Sequence, residues 1–463
     1  MKYVGFIMAI TMGLASCQSP STSKKFTGKE GEVKLITLAP GHFHASLVQK
    51  SMLPQIDEQT YVYAPAGTET DAFLNMIESY NQRLENPTHW KEVVYTGNDF
   101  LEKMITENKG NVVILAGNNQ KKTDYILSSI HAGFNVLSDK PMAIDKNKFG
   151  LLETAFNEAK EKGVLLYDIM TERYEVTNAI QRDILQSKEV FGELTLGTSE
   201  NPAVELESVH HFLKQVSGQY LIRPSWYYDV EQQGDGIVDV TTHLIDLVNW
   251  KCFQEVALDY KKDVVINDAT RWPTKLTLED FSHSTNLKNW PDFLQKYIQN
   301  DSLNVYSNGY IQYAVKGLQV KISVVWNVEA PTGGGDTHKA VLKGTKSDIL
   351  VLQGAEQQYV PELYLRKTDE SISDEDFLSA VNKLIENLQS TYPGVSSEDA
   401  EHGIHIVIPN TLRKGHEAHF SQVTERFLKY LVDGKLPDWE IPNMLTKYFI
   451  TTEALDIAKK KGN

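Results

Sequence analysis

Asn111-Val112-Val113-Ile114-Leu115-Ala116-Gly117-Asn118-Asn119 is a short apolar run closed by a turn of small and polar residues. A helical stretch from Lys122 to Ala132 follows, and then a second apolar run, Asn135-Val136-Leu137. A run without polar alternation is expected of a strand covered on both faces, and two such strands joined through a helix make a parallel pair. The rhythm extends both ways. Upstream, Val33 to Leu38, Tyr61 to Tyr63 and Lys91 to Tyr95 read as strands, separated by helical stretches at His44 to Met52, Asp71 to Leu84 and Asp99 to Asn108. Downstream, a helix from Lys146 to Lys162 and a strand from Val164 to Tyr167 complete the pattern. This alternation predicts a parallel sheet with helices on both faces.

Beyond Gly192 the pattern changes. Glu193 to Thr198, Asn304 to Tyr313 and Leu318 to Trp326 read as longer strands with the polar alternation of a sheet that has one open face. Phe420 to Asp433 and Asn443 to Lys461 are helical and are expected to return across both domains. Thr332-Gly333-Gly334-Gly335-Asp336 reads as a loop tip.

The first residues carry a different message. Met1-Lys2-Tyr3, an apolar run from Val4 to Leu14 and then Leu14-Ala15-Ser16-Cys17 have the layout of an export signal, with a core too short for a permanent membrane helix. Leu-Ala-Ser-Cys resembles the lipobox of bacterial lipoproteins, which implies lipidation of Cys17 and a polar tether to Glu32. Residues 1–16 are then the signal, 17–32 the lipidated cysteine and tether, 33–170 the first domain and 171–463 the second. With Cys17 so used, only Cys252 remains, which excludes an intramolecular disulfide and a multi-cysteine zinc site. The net charge of -15, without a basic run, argues against nucleic acid or an anionic membrane surface as partner. Membrane contact is expected only through the N-terminal lipid.

Three segments carry chemistry. The first turn, Ala39-Pro40-Gly41-His42-Phe43-His44, lies where a parallel sheet of this kind would seat a pyrophosphate, but it keeps only the middle glycine of G-x-G-x-x-G. Neither Tyr63 nor Ala64 supplies the acid expected for a ribose. In the second, Ser138-Asp139-Lys140-Pro141 follows a strand; alone it reads as a surface lysine before a loop proline, whereas a lysine at the C-terminal end of a parallel strand would project into the ligand crevice. In the third, Gly234-Asp235-Gly236-Ile237-Val238-Asp239-Val240-Thr241-Thr242-His243-Leu244-Ile245-Asp246, helical spacing puts Asp239, His243 and Asp246 on one face. That trio suits acid–base work or, alternatively, a divalent metal; the reading assigns no metal. His210, His211, Arg223, Trp226 and Tyr227 bring donors and aromatic faces just upstream, as a carbohydrate site would, though the aromatics equally suit a core or an interface.

Ala116-Gly117-Asn118-Asn119 and Asp139-Lys140-Pro141 resemble the glucose-fructose oxidoreductase / inositol dehydrogenase family (Gfo/Idh/MocA). There the Asn of A-T-P-N precedes the Lys of E-K-P by 21 residues, as Asn119 precedes Lys140 here. The helix segment is similar to that family's G-G-G-x-x-x-D-x-x-x-H-x-x-D, with Gln233 and Asp235 at two glycine positions. The P-G-H-F-H turn and long C-terminal domain resemble its secreted Bacteroidetes-type branch. The resemblance implies an α/β fold: an N-terminal Rossmann-like doubly wound parallel sheet plus a C-terminal α+β domain with a large mixed, mostly antiparallel sheet. It implies an NAD or NADP cofactor, tightly bound because free dinucleotide is scarce outside the cytoplasm. Pro40, Gly41, His42, Phe43, His44, Asn118, Asn119, Asp139 and Lys140 would hold it. It further implies His243 as general base, Asp239 and Lys140 as catalytic partners, and His210, His211, Arg223, Trp226, Tyr227 and Asp246 toward a sugar or glycoside. A homo-oligomer formed through the open sheet face is the family habit. The expected reaction moves hydride between a secondary hydroxyl and the nicotinamide, giving a keto-sugar. A redox-neutral NAD-dependent glycosidase and a cofactor-free saccharide-binding lipoprotein are the alternatives.

Overall fold

The computed structural model describes residues 25–216 and 219–462, so the segment expected to be an export signal and Cys17 lie outside the described residues. The first domain alternates β1 (Leu35–Leu38), α1 (His44–Leu47), β2 (Gln59–Ala64), α2 (Thr68–Gln82), β3 (Lys91–Thr96), α3 (Phe100–Glu107), β4 (Val112–Leu115), α4 (Asn119–His131), β5 (Asn135–Asp139), α5 (Lys146–Lys162) and β6 (Leu166–Ile169). Every residue of β1, β4, β5 and β6 is buried, which explains why these strands read as continuous apolar runs. The strands pair in parallel in the order β3-β2-β1-β4-β5-β6. The order reverses between β1 and β4, and the crevice outside their carboxyl ends is where such sheets bind ligands.

Two elements depart from the sequence expectation. The helix expected from His44 to Met52 ends at Leu47. Gln49 N–H and Lys50 N–H take carbonyls three residues back, while the Gln49 carbonyl accepts from Trp90 Nε1 at 2.6 Å and the Lys50 carbonyl from Arg83 Nη2 at 2.6 Å. With those carbonyls captured, the helix cannot continue. Glu193 to Thr198 forms isolated bridges rather than a strand, because Gly192 and Gly197 both adopt left-handed φ, 76° and 68°.

The second domain is built on a mixed sheet with Leu318–Glu329 near its middle. That strand runs parallel to Val204–Leu213 and antiparallel to Ser302–Val315. Strands Thr337–Lys343, Ser347–Leu352 and Glu362–Lys367 extend the sheet on the far side of Val204–Leu213. Burial alternates along Leu318–Glu329, as expected of a sheet covered mainly on one face.

Helix His416–Asp433 and the terminal helix Glu440–Lys460 join the domains. Phe420, Phe427, Met444 and Tyr448 belong to the first core, while Ile450, Ala454, Leu455 and Ala458 belong to the second. Between the cores lies a buried ion cluster. Lys447 Nζ sits 2.7 Å from Asp168 Oδ2 and 2.8 Å from Asp246 Oδ1. Arg173 grips Asp246 through two bonds of 2.7 Å and reaches Glu440 at 2.9 Å. Burial opposes charge on Asp246, but Arg173 and Lys447 outweigh it and hold its pKa well below the usual carboxylate range. Among the described residues no helix is long and apolar enough to cross a membrane.

Removing one partner of a buried ion cluster strands the others. Lys447→Met should therefore cost about 3–5 kcal/mol, read as a lowered midpoint in chemical denaturation of the whole chain.

Candidate active site

The site begins where β5 ends. Lys140 Nζ lies 2.6 Å from Asp239 Oδ1, both side chains nearly buried. The second Asp239 oxygen accepts from Gln233 Nε2 at 3.0 Å. Asp239 closes a short helix, Gly236–Asp239, that presses on the sheet so closely that a Cβ at Gly236 would stand 1.7 Å from the Ser307 carbonyl oxygen. Only glycine permits that approach. Burial works against charge on Lys140, yet Asp239 and Asp139 more than offset it and raise its pKa. The next helix, Thr241–Cys252, carries His243, whose Nδ1 is buried with no hydrogen-bond partner. Burial, reinforced by the Lys140 charge, pushes its pKa well down and keeps the imidazole neutral.

The β1–α1 turn supplies more imidazoles. His44 Nδ1 is 2.9 Å from Asp139 Oδ2, and His42 Nδ1 is 3.9 Å from the same oxygen. The His44 ring lies 5.6 Å from that of His416, the first residue of helix His416–Asp433. Glu172 Oε1 is 3.8 Å from His416 Nδ1. Burial first, then the neighbouring Glu175, raises the Glu172 pKa to about 7. Lys122 Nζ donates to the Asp139 carbonyl at 3.1 Å, and burial pushes its pKa down to about 8.

Two hollows flank this centre. A cleft of about 360 Å³ at the ends of β1, β2 and β4 is lined by Pro40, Thr68, Glu69, Asn118, Gln120, Lys121 and Lys122, among others. It receives the N-termini of α2 and α4 and two lysines, a donor set suited to an anionic nucleotide. A Cβ at Gly117 would stand 2.4 Å from the Ala39 carbonyl oxygen, so glycine there lets the turns after β1 and β4 pack against each other. The β1–α1 turn contributes less than the usual fingerprint, because the Gly41 and His42 N–H groups are both spent on the Ala116 carbonyl at 3.2 Å. The second hollow, about 650 Å³, is lined by His42, Phe43, Met76, Arg223, Tyr227 and Leu287, among others. Trp226 Nε1 donates to Glu69 Oε1 at 2.7 Å, bridging the domains where the hollows meet.

The structure therefore brings Lys140, Asp239, Asp139, His42, His44 and His243 to one region, with Pro40 and Asn118 in the cleft and Phe43, Gly41, Arg223 and Tyr227 in the larger hollow. Other expected residues are engaged by protein partners. Asp246 is held by Arg173 and Lys447 inside the ion cluster and has no oxygen to spare for substrate. The Asp239/His243/Asp246 metal set is thereby dissolved. His210 and His211 flank Asp336, at 3.1 and 3.4 Å, so Asp336 anchors its loop rather than tipping it. Trp226 is a buried wall residue. Asn119 is tied to the Gln233 carbonyl at 2.7 Å and serves as a domain latch. Glu172, His416 and Lys122 were not anticipated; among them only Lys122, three residues after Asn119 at the start of a helix, left a readable signal.

A doubly wound parallel sheet feeding a mixed-sheet domain, with a lysine–aspartate pair between them, defines a two-domain dehydrogenase architecture. The model of the family described as "Putative oxidoreductase C terminal domain" matches residues 180–459. A Parabacteroides merdae protein of known structure, described as a "putative oxidoreductase", is 53% identical over 95% of this chain and 100% of its own, with a TM-score of 0.93. Levoglucosan dehydrogenase in complex with NADH and levoglucosan superposes at a TM-score of 0.58, with 11% identity over 93% of this chain and 98% of that one. Biliverdin reductase from Synechocystis, in complex with biliverdin and NADP+, superposes at 0.56, with 11% identity over 92% and 99%. The latter two are likenesses of fold. No curated protein sequence matches the chain. The chain belongs to the oxidoreductase family of Gfo/Idh/MocA type.

Because Asp239 is the nearest carboxylate sustaining the Lys140 charge, Asp239→Asn should lower the Lys140 pKa. Reductive ¹³C-methylation followed by NMR titration should show that lysine's signal moving at a lower pH than in the unaltered protein.

Proposed function

We propose that this chain is an exported, lipid-anchored NAD(P)-dependent oxidoreductase that moves hydride between a secondary hydroxyl of a sugar or glycoside and a tightly held nicotinamide, giving a keto-sugar. The observation that carries the reading is the 2.6 Å Lys140–Asp239 pair, with His243 held neutral by burial and by the Lys140 charge, at the carboxyl edge of a doubly wound sheet. Pro40, Thr68, Asn118, Gln120, Lys121 and Lys122 would hold the nucleotide in the cleft. When bound, the nicotinamide accepts or returns the hydride.

The remaining work falls to the protein. Lys140, kept charged by Asp239, donates a hydrogen bond to the reacting sugar oxygen and stabilises negative charge developing there. His243, kept neutral by burial, accepts the hydroxyl proton. Phe43 and Tyr227 offer aromatic faces to a sugar ring, and Arg223, stacked 4.6 Å over the Tyr227 ring, offers donors. Cys17 as lipid anchor and the export of the chain rest on the N-terminal residues alone.

Protein purified without added cofactor, denatured and assayed by mass spectrometry should release about one NAD(H) or NADP(H) per chain. With sugar supplied, keto-sugar formation by Lys140→Ala should fall by about 10²–10³-fold. Absence of released dinucleotide together with no binding of added NAD(P) overturns the reading.

A further inference from the structure

Four imidazoles converge on the carboxyl edge of the first sheet, His42 and His44 from the β1 turn, His243 and His416 from two helices, and Asp139 stands among them. Nicotinamide chemistry asks for one base here. The ligand atoms of His42, His44 and Asp139 all lie within 4.8 Å of one another. With metal–nitrogen and metal–oxygen bonds near 2.1 Å, tetrahedral ligands stand roughly 3.4 Å apart. The His44–Asp139 and His42–Asp139 separations, 2.9 and 3.9 Å, bracket that spacing.

We propose that His42, His44 and Asp139 form a binding site for one borderline-soft divalent transition-metal ion of the Zn²⁺ class. Two imidazoles and a carboxylate are the set used by catalytic zinc, and three protein ligands leave a fourth position open. The neighbouring ammonium groups do not forbid the ion. Lys140 is paired with Asp239, and Lys122 is turned onto the backbone carbonyls of Asp139 and Lys140. The turn is also held in place: Ala39 takes a left-handed φ of 46°, and the Gly41 and His42 N–H groups are fixed on Ala116. Two histidines one residue apart thus reach the same carboxylate. The open position suits a hydroxyl or carbonyl oxygen of a substrate bound beside Lys140. The site stands whether or not a nicotinamide binds.

Untagged, chelator-treated protein titrated with Co²⁺ should develop the visible ligand-field bands of a four-coordinate site and saturate at one equivalent. His42→Ala and His44→Ala should each weaken Co²⁺ binding more than tenfold while far-ultraviolet circular dichroism is retained. His42 is only partly buried, so its variant keeps the test decisive if the buried His44 variant fails to fold. His131→Ala, on the exposed end of α4, should bind as the parent does. No bands at one equivalent, or bands that survive His42→Ala, overturn the proposal. Because the titration uses neither sugar nor dinucleotide, its outcome is independent of the hydride-transfer assay.

Discussion

Lys447, with no solvent contact and two aspartates within 3 Å, is the constraint from which the rest of the architecture follows. The cluster around it draws on several elements: Asp168 from β6 and Asp246 from helix Thr241–Cys252 bind Lys447, while Arg173 from the connecting turn ties Asp246 to Glu440 at the start of the helix that carries Lys447. A buried cluster of this kind adds little net stability over an apolar substitute, but it tolerates only one relative placement of its members. Asp239 lies seven residues before Asp246 on an almost continuous helical run. Fixing Asp246 therefore fixes where Asp239 meets Lys140, and the reactive pair inherits its geometry from a cluster that substrate never touches.

The electrostatics divide the labour between residue types. Positive charge resides on lysines that have fixed acceptors, whereas burial keeps His42, His243 and His416 uncharged. Neutral imidazoles have lone pairs, which a proton or a cation can use. Glu172, held between these states, is the carboxyl whose ionisation falls in the range where a small change in its surroundings matters.

The first domain was legible because buried parallel strands leave uninterrupted apolar runs such as Val112 to Leu115, and their helices have a different period. Lys140 and Asp239 were singled out by the resemblance of their segments to family motifs, and the structure sets them 2.6 Å apart. Asp246 was misplaced for a reason that helical periodicity does not encode: it shares a face with His243, but its partners, Arg173 and Lys447, come from distant parts of the chain. The same holds for His210 and His211, whose partner Asp336 lies more than a hundred residues on. The short α1 was hidden because the side chains that stop it, Arg83 and Trp90, belong to later segments. His416 lies just before the helix expected from Phe420, and its partner ring, His44, is more than three hundred residues away, so periodicity carried no sign of it.

That return has a consequence for how the molecule is made. Phe420, Phe427, Met444 and Tyr448 complete the hydrophobic core of a domain whose strands end at Ile169. A ribosome emits those side chains last, long after the sheet they cover has emerged. The N-terminal domain cannot finish folding as an independent early unit, and its sheet stays incompletely covered until synthesis is nearly over.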